Sequence, residues 1–184
     1  QMMLDGIAMS HLDPADLRRD VAILTQNSRL FHGTLYDNLT LGAPDASDGD
    51  VVRALTLTGA IEFVRKIPKG LDYLLMEGGH GLSGGQRQAL LLSRLLIRQP
   101  SVLILDEPTA SLDENSEKNF LNALDEWADQ RSLIIATHRM SVLRIVNRII
   151  VVDNGRIVLD DDREAALSRL SKPKDPVSTT AAAF

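Results

Sequence analysis

A short apolar segment that ends in two acids and a proline places the strongest constraint on how this chain folds. Val102 to Leu105 is a continuous apolar run, and Asp106, Glu107 and Pro108 follow it directly. Such a run is typical of a strand that is buried on both faces of a parallel sheet. Open α/β sheets bind ligands at the carboxyl ends of their strands. The sequence therefore predicts an α/β fold with acidic groups at one edge of a parallel sheet.

The two acids fit the chemistry of a metal ion bound to phosphates. A hard cation such as Mg²⁺ takes one or two carboxylates, and an adjacent acid can orient or deprotonate an attacking water. We assign Asp106 to the metal and Glu107 to the general base.

A glycine-containing loop forms a second candidate site. Ser83, Gly84, Gly85 and Gln86 precede a run of good helix formers that ends at Ile97. The unpaired amide groups and the positive dipole at a helix N-terminus attract an anion such as a phosphate. The two glycines let the backbone approach that anion closely. The alternative is an ordinary helix start with Ser83 as its cap.

Taken together, these motifs resemble those of the nucleotide-binding domain of the ATP-binding cassette (ABC) family. The resemblance spans roughly residues 2 to 168 and rests on five motifs in the family's order. These motifs are the Q-loop (Ala22 to Gln26), the signature (Leu82 to Gln86), Walker B (Leu103 to Glu107), the D-loop (Ser111 to Asp113) and the segment with the switch histidine (Ile134 to His138). It implies an α/β, P-loop NTPase-like ABC ATPase core with a parallel sheet, an inserted α-helical subdomain and a truncated N-terminal part.

The resemblance also implies roles for individual residues. ATP and Mg²⁺ are the expected cofactors, and two such domains pair head to tail around the nucleotide. The metal ligands are then Asp106 and Gln26, the catalytic residues are Glu107 and His138, and the nucleotide-binding residues are Gln26, Ser83, Gly84, Gly85, Gln86 and Asp113. The signature residues belong to the opposite site of the pair. Without the family, His138 also reads as a structural or solvent-facing histidine, and Gln26 as a polar loop residue.

Further segments resemble exporters. Leu30 to Leu39 matches the exporter pattern rather than the importer pattern, and Glu77 to Gly81 resembles the X-loop of exporters. The form Gly79 to Gln86 is similar to exporters of bacterial type I secretion, which transport proteins or peptides, while lipid and drug exporters remain alternatives. Phe31, Leu35 and Leu39 recur every four residues and predict one apolar helical face, which is either core or a contact with the membrane domain.

No Gly-x-x-x-x-Gly-Lys-Ser/Thr motif occurs in the 184 residues. This P-loop supplies the lysine and amides that hold the β and γ phosphates. Because the chain begins with glutamine inside the segment that resembles the region after the P-loop, we expect a truncated domain that is inactive alone. A naturally degenerate, non-catalytic regulatory subunit is the alternative, although intact Glu107 and His138 speak against it.

The composition of the chain limits the classes of partner that it can bind. A net charge of −5 and a pI of about 5.3 argue against a nucleic-acid surface. A DNA-repair type ABC ATPase is disfavoured because no sustained heptads separate Gln26 from Ser83. No run of about 18 apolar residues is present, and the lack of cysteine fits a reducing cytoplasm. We expect transmembrane domains, on the same or a separate chain, and a second ABC domain as partners at the cytoplasmic face of the inner membrane.

The pattern of elements predicts one ABC domain over residues 1–170. Its catalytic core comprises 1–26 and 98–170, its helical subdomain covers about 27–97, and a disordered tail follows from 171 to 184. The expected helices are Pro14–Arg19, Asp48–Leu57, Ala60–Lys66, Gly85–Ile97, Ser116–Asp129 and Ser141–Ile145, and the expected strands are Val21–Thr25, Val102–Leu105, Leu133–Ala136, Arg148–Val152 and Arg156–Leu159. The turn Asp153-Asn154-Gly155 predicts a hairpin, and the acids 160–162 are expected to start the final helix.

Overall fold

The computed structural model describes residues 2–129 and 131–171. The chain forms two compact units, one from Gln1 to His138 and one that begins at Arg139. The predicted tail lies outside the described residues, except for Ser171, which follows the last helix. No helix in the described part is long and apolar enough to cross a membrane.

The described residues contain these strands and helices. The strands are β1 (Met3–Leu4), β2 (Ile7–Ala8), β3 (Val21–Leu24), β4 (Gly33–Thr34), β5 (Leu74–Leu75), β6 (Val102–Asp106), β7 (Ser132–Ala136), β8 (Arg148–Asp153) and β9 (Arg156–Asp162). The α-helices are α1 (Pro14–Asp20), α2 (Leu35–Thr40), α3 (Asp48–Leu57), α4 (Ile61–Val64), α5 (Gly84–Ile97), α6 (Glu114–Ala128) and α7 (Arg163–Leu170). Short 3₁₀ helices cover Met9–His11, Gly70–Asp72, Glu77–Gly79 and Met140–Ile145.

The centre of the first unit is a parallel sheet with the strand order β3-β6-β7. Leu24 pairs with Leu105, and Leu105 pairs with Ile135, so all three strands run to the same edge. Helices α1 and α5 pack against β3. The α/β class and the parallel sheet are therefore confirmed.

The two faces of this sheet differ. Leu103 and Leu105 are completely buried, and each such leucine contributes about 1.5–3 kcal/mol to folding. Ile23, Ile104 and Ile134 lie side by side in register on alternate positions, yet Ile23 is 53% and Ile134 is 55% exposed. Burial on both faces was predicted for Val102 to Leu105. It is correct for Leu103 and Leu105 but wrong for Val102 and Ile104, which are only half-buried because the described residues leave the second face partly open to solvent.

Helices α2 and α3 pack against α5 and form an apolar core with it. The fully buried residues there include Leu30, Leu35, Leu39, Val51, Leu55 and Leu75. Leu35 and Leu39 thus belong to the core, whereas Phe31 lies outside α2 and is 49% exposed. The predicted three-residue helical face is wrong at Phe31, because the helix begins only at Leu35, with Thr34 as its cap.

A half-buried arginine joins this core to the segment after β3. Arg94 of α5 donates to the carbonyl oxygens of Arg29 (2.8 Å) and Asn38 (2.7 Å), and to the Asn38 side-chain oxygen (2.9 Å). Its guanidinium lies 5.4 Å from the centre of the Phe31 ring. Burial lowers the pKa of Arg94, and the oxygen acceptors compensate for its lost hydration.

The second unit contains the antiparallel hairpin β8–β9 and helix α7. Asn154 and Gly155 have φ angles of 46° and 74°, which the predicted two-residue hairpin turn requires. The prediction that residues 160–162 start the final helix is wrong for two of the three acids. All three acids lie in β9, where Asp160 makes two 2.7 Å contacts with Arg148 across the hairpin. Asp162 alone caps α7, by accepting from the Ala165 amide at 3.0 Å.

Candidate functional site

The ends of the three parallel strands gather the predicted catalytic residues at one edge. Asp106 pairs in register with Ala136, so Glu107 and His138 follow the ends of adjacent strands. Gln26 follows β3 on the other side of β6. Because neighbouring strands lie about 4.8 Å apart, side chains at these positions are within reach of one shared ligand.

Glu107 is held in an unusual backbone conformation. Its φ angle is +45°, a left-handed value that costs a non-glycine residue about 1–2 kcal/mol. The Glu107 amide donates to the carbonyl oxygen of Ala136 at 2.9 Å, which fixes the residue to the end of β7. Strained residues of this kind concentrate at functional sites.

The Glu107 carboxylate contacts two neighbouring side chains. Oε1 lies 2.7 Å from Nδ1 of His138, and Oε2 accepts from the Thr137 hydroxyl at 3.3 Å. Only 23% of the Glu107 side chain is exposed, compared with 79% of His138. The carboxylate is therefore oriented by its neighbours, while the imidazole stays accessible to a ligand.

Asp106 and Gln26 offer oxygen atoms to a cation. Both are exposed, and Gln26 lies in a turn closed by the 3.0 Å bond from the Ser28 amide to the Thr25 carbonyl. Among the described residues, no three His, Cys, Asp or Glu side chains converge on one metal position. The donors instead fit Mg²⁺, which uses one or two carboxylates and completes its shell with phosphate and water oxygens.

The signature segment begins α5 with a complete capping box. Ser83 Oγ accepts from the Gln86 amide at 3.2 Å, and Gln86 Oε1 accepts from the Ser83 amide at 3.0 Å. The Ser83 hydroxyl uses one lone pair in this bond, so its hydrogen is available for an anion at the helix N-terminus. The helix cap and an anion site can therefore coexist at Ser83, although the sequence alone left them as alternatives.

Gly84 and Gly85 are required for packing within the chain. A Cβ atom on Gly84 would lie 2.8 Å from the Ser111 carbonyl oxygen, and one on Gly85 would lie 2.5 Å from Ser116 Oγ. The sequence predicted close approach to an anion, yet the structure also places Gly84 against Ser111 of the D-loop and Gly85 against Ser116 of α6.

Asp113 caps helix α6. Its carboxylate accepts from the Ser116 amide (3.0 Å) and the Ser116 hydroxyl (2.8 Å). These two donors hold the pKa of Asp113 below its ordinary value. Its predicted role in nucleotide binding remains a proposal.

Thr137 was not identified as a site residue from the sequence, and the contacts of Arg94 outside the site were not predicted either. Thr137 directly precedes His138 at the end of a strand, and this position beside a candidate catalytic residue is the sequence feature that could have indicated its role. Nothing local marks Arg94, because its acceptors at residues 29 and 38 lie 65 and 56 positions away.

The chain is similar to known proteins over most of its length. Residues 1–110 match the family model described as "ABC transporter". The cyclolysin secretion/processing ATP-binding protein CyaB of Bordetella pertussis is 40% identical over 168 residues, which are 91% of this chain and 24% of CyaB. The alpha-hemolysin translocation ATP-binding protein HlyB of Escherichia coli O157:H7 is 37% identical over 92% of this chain and 24% of HlyB.

An ATP-dependent lipid A-core flippase of Photobacterium profundum is 39% identical over 86% of this chain and 27% of the flippase. A bacterial Atm1-family ABC exporter solved with ATP bound superposes with a TM-score of 0.84 at 30% identity, over 91% of this chain and 30% of the exporter. The chain spans about a quarter of the length of the curated relatives it matches. The family match and these similarities show that the chain belongs to the ABC transporter family.

Proposed function

We propose that this chain contributes the Walker B, signature and switch-histidine parts of the ATP-binding and hydrolysing domain of an ABC exporter. Because its 184 residues contain no P-loop motif, we expect no hydrolysis by this chain alone. The observation that carries the proposal is the 2.7 Å contact between Glu107 and His138 at the carboxyl edge of the parallel sheet. Phosphoryl transfer to water depends on positioning and electrostatics, and this pair supplies an oriented carboxylate beside an accessible imidazole. A protein without hydrolytic activity has no need for such a pair.

Each residue of the site has its own role in the proposed hydrolysis. Glu107 accepts a proton from the attacking water, while His138 and Thr137 fix the orientation of its carboxylate. Asp106 and Gln26 would hold Mg²⁺, which would neutralise charge on the phosphates. Ser83 and the amides at the start of α5 bind the γ-phosphate in the partner domain of a head-to-tail dimer.

The wider assembly is part of the same proposal. Residues 27–97 form the helical subdomain that meets transmembrane domains, and the rest of 1–170 forms the catalytic core. The protein works at the cytoplasmic face of the inner membrane. Exporter relatives that cover 86–92% of this chain support this assignment.

The test is Glu107→Gln in the full-length encoded protein. We expect turnover to fall by about 10²–10⁴-fold because the general base is lost, while ATP binding measured by calorimetry is kept. Glu62→Gln is the matched control, since Glu62 is exposed on α4. Normal turnover in Glu107→Gln contradicts the base assignment. Absence of hydrolysis in the unmodified full-length protein supports the regulatory alternative.

Of the protein or peptide, lipid and drug classes of substrate, the similar proteins favour the first two. Similarity to the secretion and translocation proteins, at 40% and 37% identity, favours a protein or peptide. The flippase at 39% identity keeps a lipid as the second candidate. Deleting the gene distinguishes them. Loss of a polypeptide from the secreted fraction supports protein export, and a changed lipid distribution between membrane leaflets supports lipid export.

A further inference from the structure

The turn that follows Glu107 is tied to the helix that begins at the signature. Gln88, in the second turn of α5, donates from Nε2 to the Pro108 carbonyl oxygen at 2.8 Å. Pro108 is buried and Gln88 is half-buried. The bond therefore joins two segments that are twenty residues apart in the sequence, at a place with limited access for competing water.

This hydrogen bond adds to the restraints on the turn that contains Glu107. A left-handed non-glycine residue persists only where the surrounding structure over-determines its conformation. The Glu107 amide donates to Ala136, and the Glu107 carbonyl oxygen accepts from the Ala110 amide at 3.2 Å. The ring of Pro108 sets its own φ at about −65°, and the bond from Gln88 fixes the direction of the Pro108 carbonyl.

Close packing connects the same two segments. The start of α5 lies against Ser111 and Ser116 so tightly that only glycine fits at positions 84 and 85. Helix α5 therefore contacts the segment after Glu107 at Pro108, Ser111 and Ser116. Among these three contacts, the Gln88 bond to Pro108 is the nearest to Glu107 in the sequence.

We propose that Gln88 is a positioning residue, which holds Glu107 in the conformation needed for hydrolysis and links it to the signature helix. The inference rests on the proposed function, because it concerns how the general base is held. In the proposed arrangement, Gln88 acts through Glu107 and does not contact the nucleotide. Its loss should therefore lower kcat and leave the KM for ATP unchanged.

The experiment compares Gln88→Met and Gln88→Lys in the full-length protein. Methionine keeps the length and volume but has no donor, whereas lysine keeps a donor that can reach the Pro108 carbonyl. We expect Gln88→Met to lower kcat about tenfold, which is the loss of one partly buried hydrogen bond, with KM unchanged within about twofold. Gln88→Lys should retain more activity than Gln88→Met. Gln99→Met, the same change at an exposed residue whose amide contacts Asp50 at 3.4 Å rather than Pro108, is the control and should leave kcat unchanged.

A kcat of Gln88→Met equal to that of the unmodified protein overturns the inference. So does greater activity in Gln88→Met than in Gln88→Lys, because a packing role favours methionine. Glu107→Gln measured in parallel distinguishes a failure of the role of Gln88 from a failure of the proposed general base. If Glu107→Gln is inactive and Gln88→Met is normal, only the role of Gln88 fails. If Glu107→Gln is fully active, the proposed base itself is wrong.

Discussion

His138 contacts Glu107 through a single ring nitrogen, so its removal isolates one interaction. We predict that His138→Ala in the full-length protein lowers ATP turnover at least about 100-fold, because the carboxylate and the water lose their alignment. Steady-state hydrolysis measures this change. His11→Ala is the control, since His11 is an exposed histidine of a 3₁₀ helix. A loss of less than about threefold in His138→Ala is too small for a positioning role.

Gly85 shows how a single added methyl group conflicts with packing. Gly85→Ala places Cβ 2.5 Å from Ser116 Oγ, and we predict a loss of about 1–3 kcal/mol in the free energy of unfolding from overpacking. Urea denaturation of the 184-residue chain measures it. Gly49→Ala is the matched control in α3, where the nearest atom is 3.6 Å away. There alanine should stabilise the helix by about 0.5–1 kcal/mol.

The same contact predicts a rescue. Ser116→Gly removes both the oxygen and the Cβ atom that meet the new methyl group. Gly85→Ala should therefore be less harmful in the Ser116→Gly background than alone, and a double-mutant cycle measures this coupling. Strictly additive effects contradict the steric explanation.

At the scale of single residues, the sequence predicted the location of the signature but only some of the contacts that hold it in place. The cap at Ser83 and the glycine positions follow from local patterns. The contact between Gly85 and Ser116 does not, because 31 residues separate them and only tertiary packing brings them together. Gln88 and Thr137 escaped prediction for the same reason.

At the scale of elements, Arg94 connects α5 to the segment between β3 and α2. We predict that Arg94→Lys lowers the free energy of unfolding by about 1–3 kcal/mol. A lysine ammonium cannot reproduce the planar fork that binds the Arg29 and Asn38 oxygens together. Denaturant titration measures the loss. Arg98→Lys, the same substitution at the C-cap of α5, is the control and should change stability by less than about 0.5 kcal/mol.

Elements with a clear period or cap were predictable. Strands β3, β6 and β7, helix α5 and the β8–β9 turn follow from apolar runs and turn residues. The acids at 160–162 misled the prediction because charge at a helix start and charge on an exposed strand look alike in sequence. The pairing of Asp160 with Arg148 decides between them, and it depends on the hairpin register.

At the scale of the whole molecule, the sequence could not predict which face of the central sheet is covered. An apolar residue such as Ile134 has the same letter whether it is buried or 55% exposed. The apolar run in β6 indicated a buried strand, and that holds for Leu103 and Leu105 alone. Burial is a property of the assembled layers rather than of the strand.

Two capping carboxylates make the stability of the first unit sensitive to acid. Hydrogen bonds from Ser47 lower the pKa of Asp50 at the start of α3, and hydrogen bonds from Ser116 lower the pKa of Asp113 before α6. A carboxyl group with a lowered pKa in the folded state is protonated more readily in the unfolded chain. Its stabilising effect is complete above the unfolded value of 3.8 and is lost as the pH falls through the folded value.

We therefore predict that the double variant Asp50→Asn, Asp113→Asn loses less stability on acidification than the unmodified chain. Asparagine keeps the capping oxygen but does not titrate, so the helix starts remain while their pH dependence disappears. Thermal unfolding at pH 7 and at pH 3 measures the difference, and the drop in Tm between the two conditions should be smaller in the variant. Asp45→Asn, at an exposed acid between α2 and α3, is the matched control and should leave that drop unchanged. An equal drop in the double variant and the unmodified chain would mean that other carboxylates govern acid unfolding, and that the caps hold their helices without contributing to its pH dependence.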